Sequence, residues 1–331
     1  MRIGISCYAT FGGSGVVATE VGKALAARGH EVHILSPALP PRLVGFEDRI
    51  CFHEVTASPY PLFENAPYSV ALASKMADVA SHHDLDIMHA HYAIPHTMAA
   101  LLARMALGGK LKVVTTLHGT DITVVGSDPS YLPMVKLAIR ESDGVTAVSQ
   151  HLKDETIRIF GLGERIEVIP NFVAPPEGDR PECRRWICPD EGFVLTHVSN
   201  FRPVKRVMDV VKVFERVRLQ VNARLLMVGD GPDRAEAEAY CRDKGFDHEV
   251  RFTGKQLDVG TVLACSDLFL LPSATESFGL AALEAMAYKV PVIAARVGGI
   301  PEVIRQGIDG FLEPLGDVDA MAASALKILK D

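Results

Sequence analysis

The sequence lacks the long apolar runs, the leader segment and the basic surplus that would link it to a membrane or to nucleic acid. None of its apolar stretches approaches the roughly 20 residues that a helix needs to span a bilayer. Residues 2–7 read as a strand directly after the initial methionine, without the ordered regions of a signal peptide. Acidic residues outnumber basic ones by 41 to 34, which argues against a nucleic-acid-binding face. These absences predict a cytoplasmic protein with neither a membrane nor a nucleic-acid partner.

Cysteine is also scarce, and its placement does not predict a metal site. Of six cysteines only Cys183 and Cys188 lie close together, with four residues between them and without a matching second pair. The acidic triplets at 84–86 and 317–319 do not lie at a recognisable phosphate loop. We therefore predict free thiols, no bound metal and no cofactor.

The sequence does contain a regular alternation of two kinds of segment. Short apolar or β-branched runs at 3–6, 32–35, 87–89, 113–117 and 145–148, and again at 194–198, 223–228, 250–252, 268–271 and 292–294, alternate with stretches of helical period. Segment 170–190 has several prolines but no sustained period. The pattern predicts an α/β protein with two Rossmann-like, doubly wound parallel-sheet domains facing a cleft: residues 1–170, a linker at 171–190, and residues 191–331.

The first candidate site is the loop Gly12-Gly13-Ser14-Gly15, between a strand and a helix. Glycines let backbone amides approach an anion, and a helix amino terminus attracts negative charge. Gly13, Gly15 and Ala18 also fit the loose G-x-G-x-x-A dinucleotide pattern, but the second strand ends without the acid that would bind a ribose. A nucleotide or phosphate ligand is therefore favoured over a nicotinamide, and a ligand-free tight turn stays open.

Polar residues follow two later strands of the first half. The segment 115–121 contains Thr116 and His118, and the segment 89–96 contains His89, His91, Tyr92 and His96. Ligands of open parallel sheets bind at the carboxyl ends of the strands, so His118, His91 and Tyr92 are candidates for substrate contact. Packing is the alternative for each of them. No carboxylate completes a metal-binding set with the two closely spaced histidines.

The second half has a cationic loop after its first strand. Arg202, Lys205 and Arg206 follow Asn200 and precede a helix. Three cations next to a helix amino terminus suit a diphosphate, and they stabilise it more as it becomes a leaving group. A solvated run of charge is the alternative.

Two glutamates, Glu276 and Glu284, lie eight positions apart around Ser277, which we expect to cap a helix. On a helix this step is about 2.2 turns, which separates the carboxylates by about 12 Å along the axis. That distance is too long for the paired carboxylates of a glycosidase. It suits contact with two parts of one elongated ligand.

Together with Val-Gly-Asp-Gly-Pro at 228–232 and Gly-Gly-Ile-Pro-Glu-Val at 298–303, these motifs resemble the retaining, nucleotide-sugar-dependent glycosyltransferases of family four, which have the GT-B fold. The resemblance extends over the whole chain. It implies that Glu284 binds the nucleotide ribose, that Glu276 binds hydroxyls of the donor sugar, and that Arg202 and Lys205 bind the diphosphate.

The resemblance also implies the remaining site residues. The implied catalytic residues are His118, Arg202, Lys205 and Glu276. The implied donor contacts are Gly13, Ser14, Asn200, Arg202, Lys205, Glu276, Phe278, Gly279, Leu280 and Glu284. The acceptor candidates are Ser14, Tyr92, Thr116, His118 and Arg206.

A narrower resemblance, carried by residues 7–8, 12–15, 89–96, 116–123 and 197–202, is to the members of this family that transfer N-acetylglucosamine from UDP to L-malate, a small dicarboxylate, in the first step of bacillithiol biosynthesis. The implied reaction retains the anomeric configuration. A transferase with another acceptor, a UDP-N-acetylglucosamine epimerase and a non-catalytic nucleotide-sugar sensor stay open.

One departure concerns the carboxyl end. Members of the family usually continue with helices that cross back onto the first domain, whereas this sequence ends at Asp331 after one helical stretch. The terminal crossover helices are therefore expected to be missing, in a naturally short or a truncated chain. A homo-oligomer stays open.

Overall fold

The computed structural model describes residues 1–10, 12–43, 45, 48–59, 64–162, 165–174, 184–188 and 192–331. The chain divides into two compact units, Met1–Asn171 and Phe172–Asp331. Most of the predicted linker, 171–190, lies outside the described residues, and so does Cys183.

The first unit alternates strands and helices. Its strands are β1 (Arg2–Ser6), β2 (Glu31–Ser36), β3 (Ile50–Glu54), β4 (Ile87–His91), β5 (Lys112–Leu117), β6 (Gly144–Ala147) and β7 (Ile166–Val168). Its helices are α1 (Ser14–Ala27), α2 (Tyr68–His82), α3 (Met98–Ala106), α4 (Thr120–Thr123), α5 (Leu132–Glu141) and α6 (Gln150–Phe160), with a π-helical turn at Ala93–Thr97.

The strands of this unit form one parallel sheet in the order β3-β2-β1-β4-β5-β6-β7. The central strands are apolar on both faces, because helices cover both sides of a parallel sheet. On one face, Leu35 packs with Leu72 and Met76 of α2. On the other, Ile5 and Ile34 pack with Ala18 of α1.

The second unit repeats the plan. Its strands are β8 (Phe193–Ser199), β9 (Ala223–Gly229), β10 (Val250–Gly254), β11 (Leu268–Leu271), β12 (Val292–Ala295) and β13 (Gly310–Glu313). Its helices are α7 (Arg184–Ile187), α8 (Val207–Arg218), α9 (Arg234–Asp243), α10 (Val259–Ala264), α11 (Leu280–Ala287), α12 (Ile300–Val303) and α13 (Val318–Lys330). The parallel sheet has the order β10-β9-β8-β11-β12-β13.

The predicted α/β fold with two doubly wound parallel sheets is confirmed. All ten predicted strands form, and three further strands, β3, β7 and β13, were not predicted. The described residues include no helix that is both long and apolar enough to cross a membrane.

The prediction of free thiols holds for only some of the cysteines. Cys7, Cys51, Cys188 and Cys241 are free, but Cys265 takes part in a disulfide. The spacing of the cysteines along the sequence did not predict this bond, because the fold can bring together thiols that are distant in sequence.

Candidate active site

Each sheet reverses its strand order once, and polar residues gather beside both reversals. The reversal lies between β1 and β4 in the first unit and between β8 and β11 in the second. Loops at the carboxyl ends of the two strands diverge there and leave a crevice, where ligands of doubly wound sheets bind. Most of the predicted site residues lie on loops or helix starts that follow these strands or their neighbours, whereas Thr116 lies in β5 itself and Glu284 lies within α11.

In the second unit, a lysine and a glutamate from two such loops form an ion pair. Lys205 Nζ donates a hydrogen bond of 2.5 Å to Glu276 Oε1. Both side chains are mostly buried, with 22% and 15% exposure. The backbone joins the same loops, since the Ala274 amide donates to the Val204 carbonyl at 2.7 Å. The fold thus brings the predicted diphosphate and sugar residues into direct contact.

A buried histidine supports the loop that carries Lys205. His197 Nδ1 lies 2.8 Å from the Leu270 carbonyl oxygen and its Nε2 lies 2.8 Å from Ser199 Oγ, which accepts a bond from the Phe201 amide. Burial lowers the pKa of His197 to about 4. Because Nδ1 faces a carbonyl, the neutral ring carries its proton there and accepts from the Ser199 hydroxyl.

Glycines let the loops of this edge pass close to one another. A Cβ on Gly229 would lie 1.8 Å from the Ser199 carbonyl oxygen, and one on Gly298 would lie 2.0 Å from that of Glu276. The Gly299 amide then donates to the Glu276 carbonyl at 2.9 Å. The two glycine motifs therefore shape the backbone on either side of the ion pair.

Helix α11 begins at Leu280, and Gly279 is its N-cap residue, with φ 94°. The expected Ser277 cap is wrong, because a left-handed residue ends the preceding loop and glycine adopts that conformation without strain. Of the two glutamates only Glu284 lies on the helix, where it is half-buried. The separation of about 12 Å, which assumed that both lie on one helix, therefore does not apply. Phe278 is buried, 7% exposed, beneath this loop.

The other residues of the cationic loop are placed differently. Arg202 and Asn200 are exposed, and the Arg202 side chain forms no hydrogen bond or ion pair with any residue in the described ranges. Arg206 adopts a left-handed backbone, φ 52°, and its Nε donates to Asp209 at 2.5 Å. Arg202 is therefore available to an anionic ligand, whereas Arg206 already has a carboxylate partner.

In the first unit, α1 begins directly after the glycine loop. Gly13 is the N-cap residue with φ 63°, and Ser14, 5% exposed, opens the helix. Gly15 has no room for a side chain, since a Cβ there would lie 2.4 Å from the Tyr8 carbonyl oxygen. The predicted strand–loop–helix arrangement is confirmed, and it presents the amino end of a 14-residue helix at the carboxyl edge of the sheet.

A chain of histidines lies at the same edge. His91 Nδ1 is 2.9 Å from His118 Nε2, and the two rings stack with centroids 5.1 Å apart. His96 Nδ1 is 2.7 Å from Ser6 Oγ. The Nε2 atoms of His91 and His96 are buried and have no hydrogen-bond partner among the residues that the structure describes. Buried polar atoms of this kind are usually satisfied by a ligand or by water.

Burial keeps these imidazoles neutral. It lowers the pKa of His89 to about 4, those of His96 and His118 to about 3, and that of His91 well below its usual range. At neutral pH the edge therefore offers polar rings without positive charge.

Asp121 anchors the His118 loop. Its buried carboxylate accepts hydrogen bonds from the backbone amides of Ala93, His118 and Gly119, at 2.9–3.1 Å. Burial raises the pKa of this carboxyl, and the three amide donors partly oppose that shift. The carboxylate thus connects the loops after β4 and β5 and sets the position of the His118 ring.

The two remaining acceptor candidates of this unit have different environments. The Tyr92 ring lies 5.4 Å from that of His118 and 5.7 Å from that of Tyr8, and its φ is 95°. The hydroxyl of Thr116 already has two partners, His89 Nε2 at 2.7 Å and Thr146 Oγ1 at 2.8 Å. A contact between Thr116 and an acceptor would use the one hydrogen-bonding position that these two partners leave on the hydroxyl.

Three residues of this edge were missed by the sequence analysis: Ser6, Tyr8 and Asp121. Tyr8 packs edge-on against His96, with centroids 4.6 Å apart. Their positions at the end of β1, directly after it and after His118 were a usable signal. Their partners lie up to 90 residues away along the chain, and only the fold shows them.

Two doubly wound parallel sheets, one in each unit, are the arrangement of the GT-B fold. A sucrose-phosphate synthase from Thermosynechococcus elongatus superimposes with a TM-score of 0.79 and 20% identity, covering 100% of this chain and 90% of that one. Anabaena Alr3699/HepE in complex with UDP and glucose superimposes with a TM-score of 0.80 and 22% identity, and the match covers 100% of this chain and 90% of that one. At these identities the likeness shows the fold.

Sequence comparison gives the family. Residues 11–175 match the model of Glycosyltransferase Family 4, and residues 192–331 match that of Glycosyl transferases group 1. The N-acetyl-alpha-D-glucosaminyl L-malate synthase of Bacillus anthracis is 48% identical over 335 residues, covering 100% of this chain and 88% of that protein. A GDP-mannose-dependent mannosyltransferase of Mycolicibacterium smegmatis is 28% identical over 78% of this chain and 71% of its own length. This chain belongs to family four of the glycosyltransferases.

Proposed function

We propose that this chain transfers N-acetylglucosamine from UDP-N-acetylglucosamine to the hydroxyl of L-malate and retains the anomeric configuration. The observation that carries the proposal is the 48% identity, over the whole chain, to an N-acetyl-alpha-D-glucosaminyl L-malate synthase. The Lys205–Glu276 pair supports the proposal, because a cation suited to a diphosphate lies beside a carboxylate suited to sugar hydroxyls.

On the donor side, Lys205 and the exposed Arg202 would bind the diphosphate. Glu276 would accept hydrogen bonds from the sugar hydroxyls, and Glu284 from the ribose. The adjoining residues Asn200, Phe278, Gly279 and Leu280 would line the same pocket. Two cations neutralise a diphosphate directly, so we propose that the reaction needs neither a metal nor a cofactor.

On the acceptor side, the dicarboxylate needs hydrogen-bond donors. The first turn of α1, from Gly13 and Ser14, offers backbone amides to an anionic group. Tyr92 and His118 would contact the acceptor or the sugar beside it, since their rings lie together at the same edge. Arg206 would contribute only by exchanging its bond to Asp209.

The transfer step needs no covalent intermediate. The bond from the anomeric carbon to the β-phosphate oxygen breaks, and the malate hydroxyl oxygen bonds to that carbon from the same face. The departing phosphate oxygen takes the hydroxyl proton, and Lys205 and Arg202 stabilise the charge that develops on the phosphate. UDP leaves with the proton, so atoms and charge balance.

The test is incubation of the chain with UDP-N-acetylglucosamine, with and without L-malate and in the presence of EDTA, followed by mass spectrometry of the products. A malate-dependent conjugate that accumulates together with UDP supports donor, acceptor and metal independence. If UDP is released with a different hydroxy acid but not with malate, that acid is the acceptor and malate is not. Free N-acetylmannosamine without any acceptor would indicate the epimerase instead.

We also propose a cytoplasmic location with no membrane or nucleic-acid partner. The acidic surplus, 41 acidic against 34 basic residues, disfavours a polyanionic surface as partner. Cell fractionation with an antibody to the chain tests the location.

A further inference from the structure

Three histidines outside the two polar edges form a compact cluster in the first unit. His33 lies in β2, His53 in the edge strand β3, and His83 directly after α2. One ligand nitrogen from each lies within 4.8 Å of the others. His33 is buried, and the other two are half-buried.

The register of the sheet explains why two of these rings meet. His33 pairs with Cys51, and Leu35 pairs with His53. Side chains alternate between the faces of a strand, so His33, Leu35 and His53 project from the same face. Leu35 packs against α2 there, and His83 follows the last turn of that helix.

The hydrogen bonds of His33 suit a metal ligand. Its Nε2 lies 3.1 Å from Glu31 Oε1, and its Nδ1 lies 2.9 Å from His53 Nε2. A neutral ring that donates Nε2–H to the carboxylate keeps its lone pair on Nδ1, directed into the cluster. Histidines that bind metals characteristically donate their other ring N–H to a carboxylate or carbonyl in this way.

We propose that His33, His53 and His83 together bind one divalent transition-metal ion, best matched by Zn²⁺, with Glu31 orienting His33. Three imidazole nitrogens form a ligand set that zinc accepts and that calcium and magnesium, which require oxygen, do not. Tetrahedral zinc separates its nitrogen ligands by about 3.4 Å. The His33–His53 contact therefore has to open by only a few tenths of an ångström.

The three ligands come from three different elements, β2, β3 and the end of α2. A bound ion would cross-link them and hold the edge strand β3 onto the sheet. His83 follows the end of α2 and precedes β4, so the cluster lies toward the amino ends of the strands and not at the carboxyl edge that holds the His118 loop. The ion would therefore stabilise the first unit and take no part in sugar transfer.

The test uses the full chain, stripped with EDTA and dialysed, then titrated with Zn²⁺ in competition with a chromogenic chelator. We expect one equivalent to bind and the Tm of the chain to rise. His53→Gln and His83→Gln should each weaken binding by at least about 100-fold, and Glu31→Gln by about 10- to 100-fold. His248→Gln, an exposed histidine of the second unit, is the matched control and should leave binding unchanged.

Co²⁺ provides a second readout, because a tetrahedral nitrogen site gives visible absorption that the hydrated ion lacks. Less than one equivalent bound to the wild-type chain, or equal affinity in His53→Gln and the wild type, would overturn the proposal. Far-UV circular dichroism checks that the variants fold. If a histidine variant does not fold, the Zn²⁺ affinity of Glu31→Gln tests the proposal instead. The Glu31 side chain is 45% exposed, so its replacement should not prevent folding.

Discussion

Lys205 Nζ lies 2.5 Å from Glu276 Oε1, and the pair joins the loop after β8 to the loop after β11. In the absence of donor each charge neutralises the other, which limits the cost of placing both in a largely buried position. A diphosphate and a sugar hydroxyl would compete for the same two groups. If the donor binds here as proposed, the ion pair has to open before Lys205 and Glu276 can contact it.

Replacement of Lys205 should remove stabilisation of the leaving phosphate. We expect Lys205→Met to lower kcat by about 10²–10³-fold, as for a lost oxyanion donor. Lys205→Arg, which keeps the charge, should recover part of the rate. Steady-state kinetics with UDP-N-acetylglucosamine measures both, and a near-normal kcat in Lys205→Met would place the diphosphate elsewhere.

His118 should act mainly in the transition state if it faces the reacting sugar. His118→Asn is then expected to lower kcat and kcat/KM together by about 10- to 100-fold, the range for one strong hydrogen bond. The donor KM should stay the same. His248→Asn serves as the surface control, and a change in KM alone would assign His118 to ground-state binding.

A comparison of Gly298 with Gly307 separates the effect of a steric clash from the effect of a positive φ. Both have positive φ, 55° and 74°, but a Cβ on Gly298 would meet the Glu276 carbonyl at 2.0 Å, whereas nothing lies within 4 Å of one on Gly307. Gly307→Ala should cost about 1–2 kcal/mol of stability and leave the donor KM unchanged. Gly298→Ala should also displace Glu276 and raise that KM. Urea unfolding and kinetics separate the two effects; equal KM values would contradict the clash.

The buried histidines make the folded chain sensitive to acid. His197 has a folded pKa of about 4, against about 6.5 in the unfolded chain, so the unfolded state binds more protons between these values. Stability is therefore complete above pH 6.5 and declines as the pH falls, by about 2 kcal/mol at pH 5 for this residue. Urea unfolding of the wild type and His197→Gln at pH 7.5 and 5.0 should show a smaller loss in the variant. An equal loss would mean that His197 is protonated in the folded state.

Regular elements with a strong pattern were predictable. The ten predicted strands follow from local runs of apolar or β-branched residues, because most of them are buried on both faces of a parallel sheet. Strand β3 was not predicted. It lies at the edge of the sheet and reads Ile-Cys-Phe-His-Glu, half-exposed, so its pairing with β2 depends on the neighbour rather than on its own sequence.

The sequence by itself determined which chemical groups the site could contain. Ligands of parallel sheets bind at the carboxyl ends of the strands. The sequence shows which groups follow the strands there: the glycines, the cations after β8 and the two glutamates. Only the tertiary structure decided which of them meet: Lys205 with Glu276 across 71 residues, Ser6 with His96 across 90, and His33 with His53 across 20. The physical reason is that motifs are local, whereas hydrogen bonds and ion pairs form between atoms a few ångströms apart, and strand order and register determine those distances.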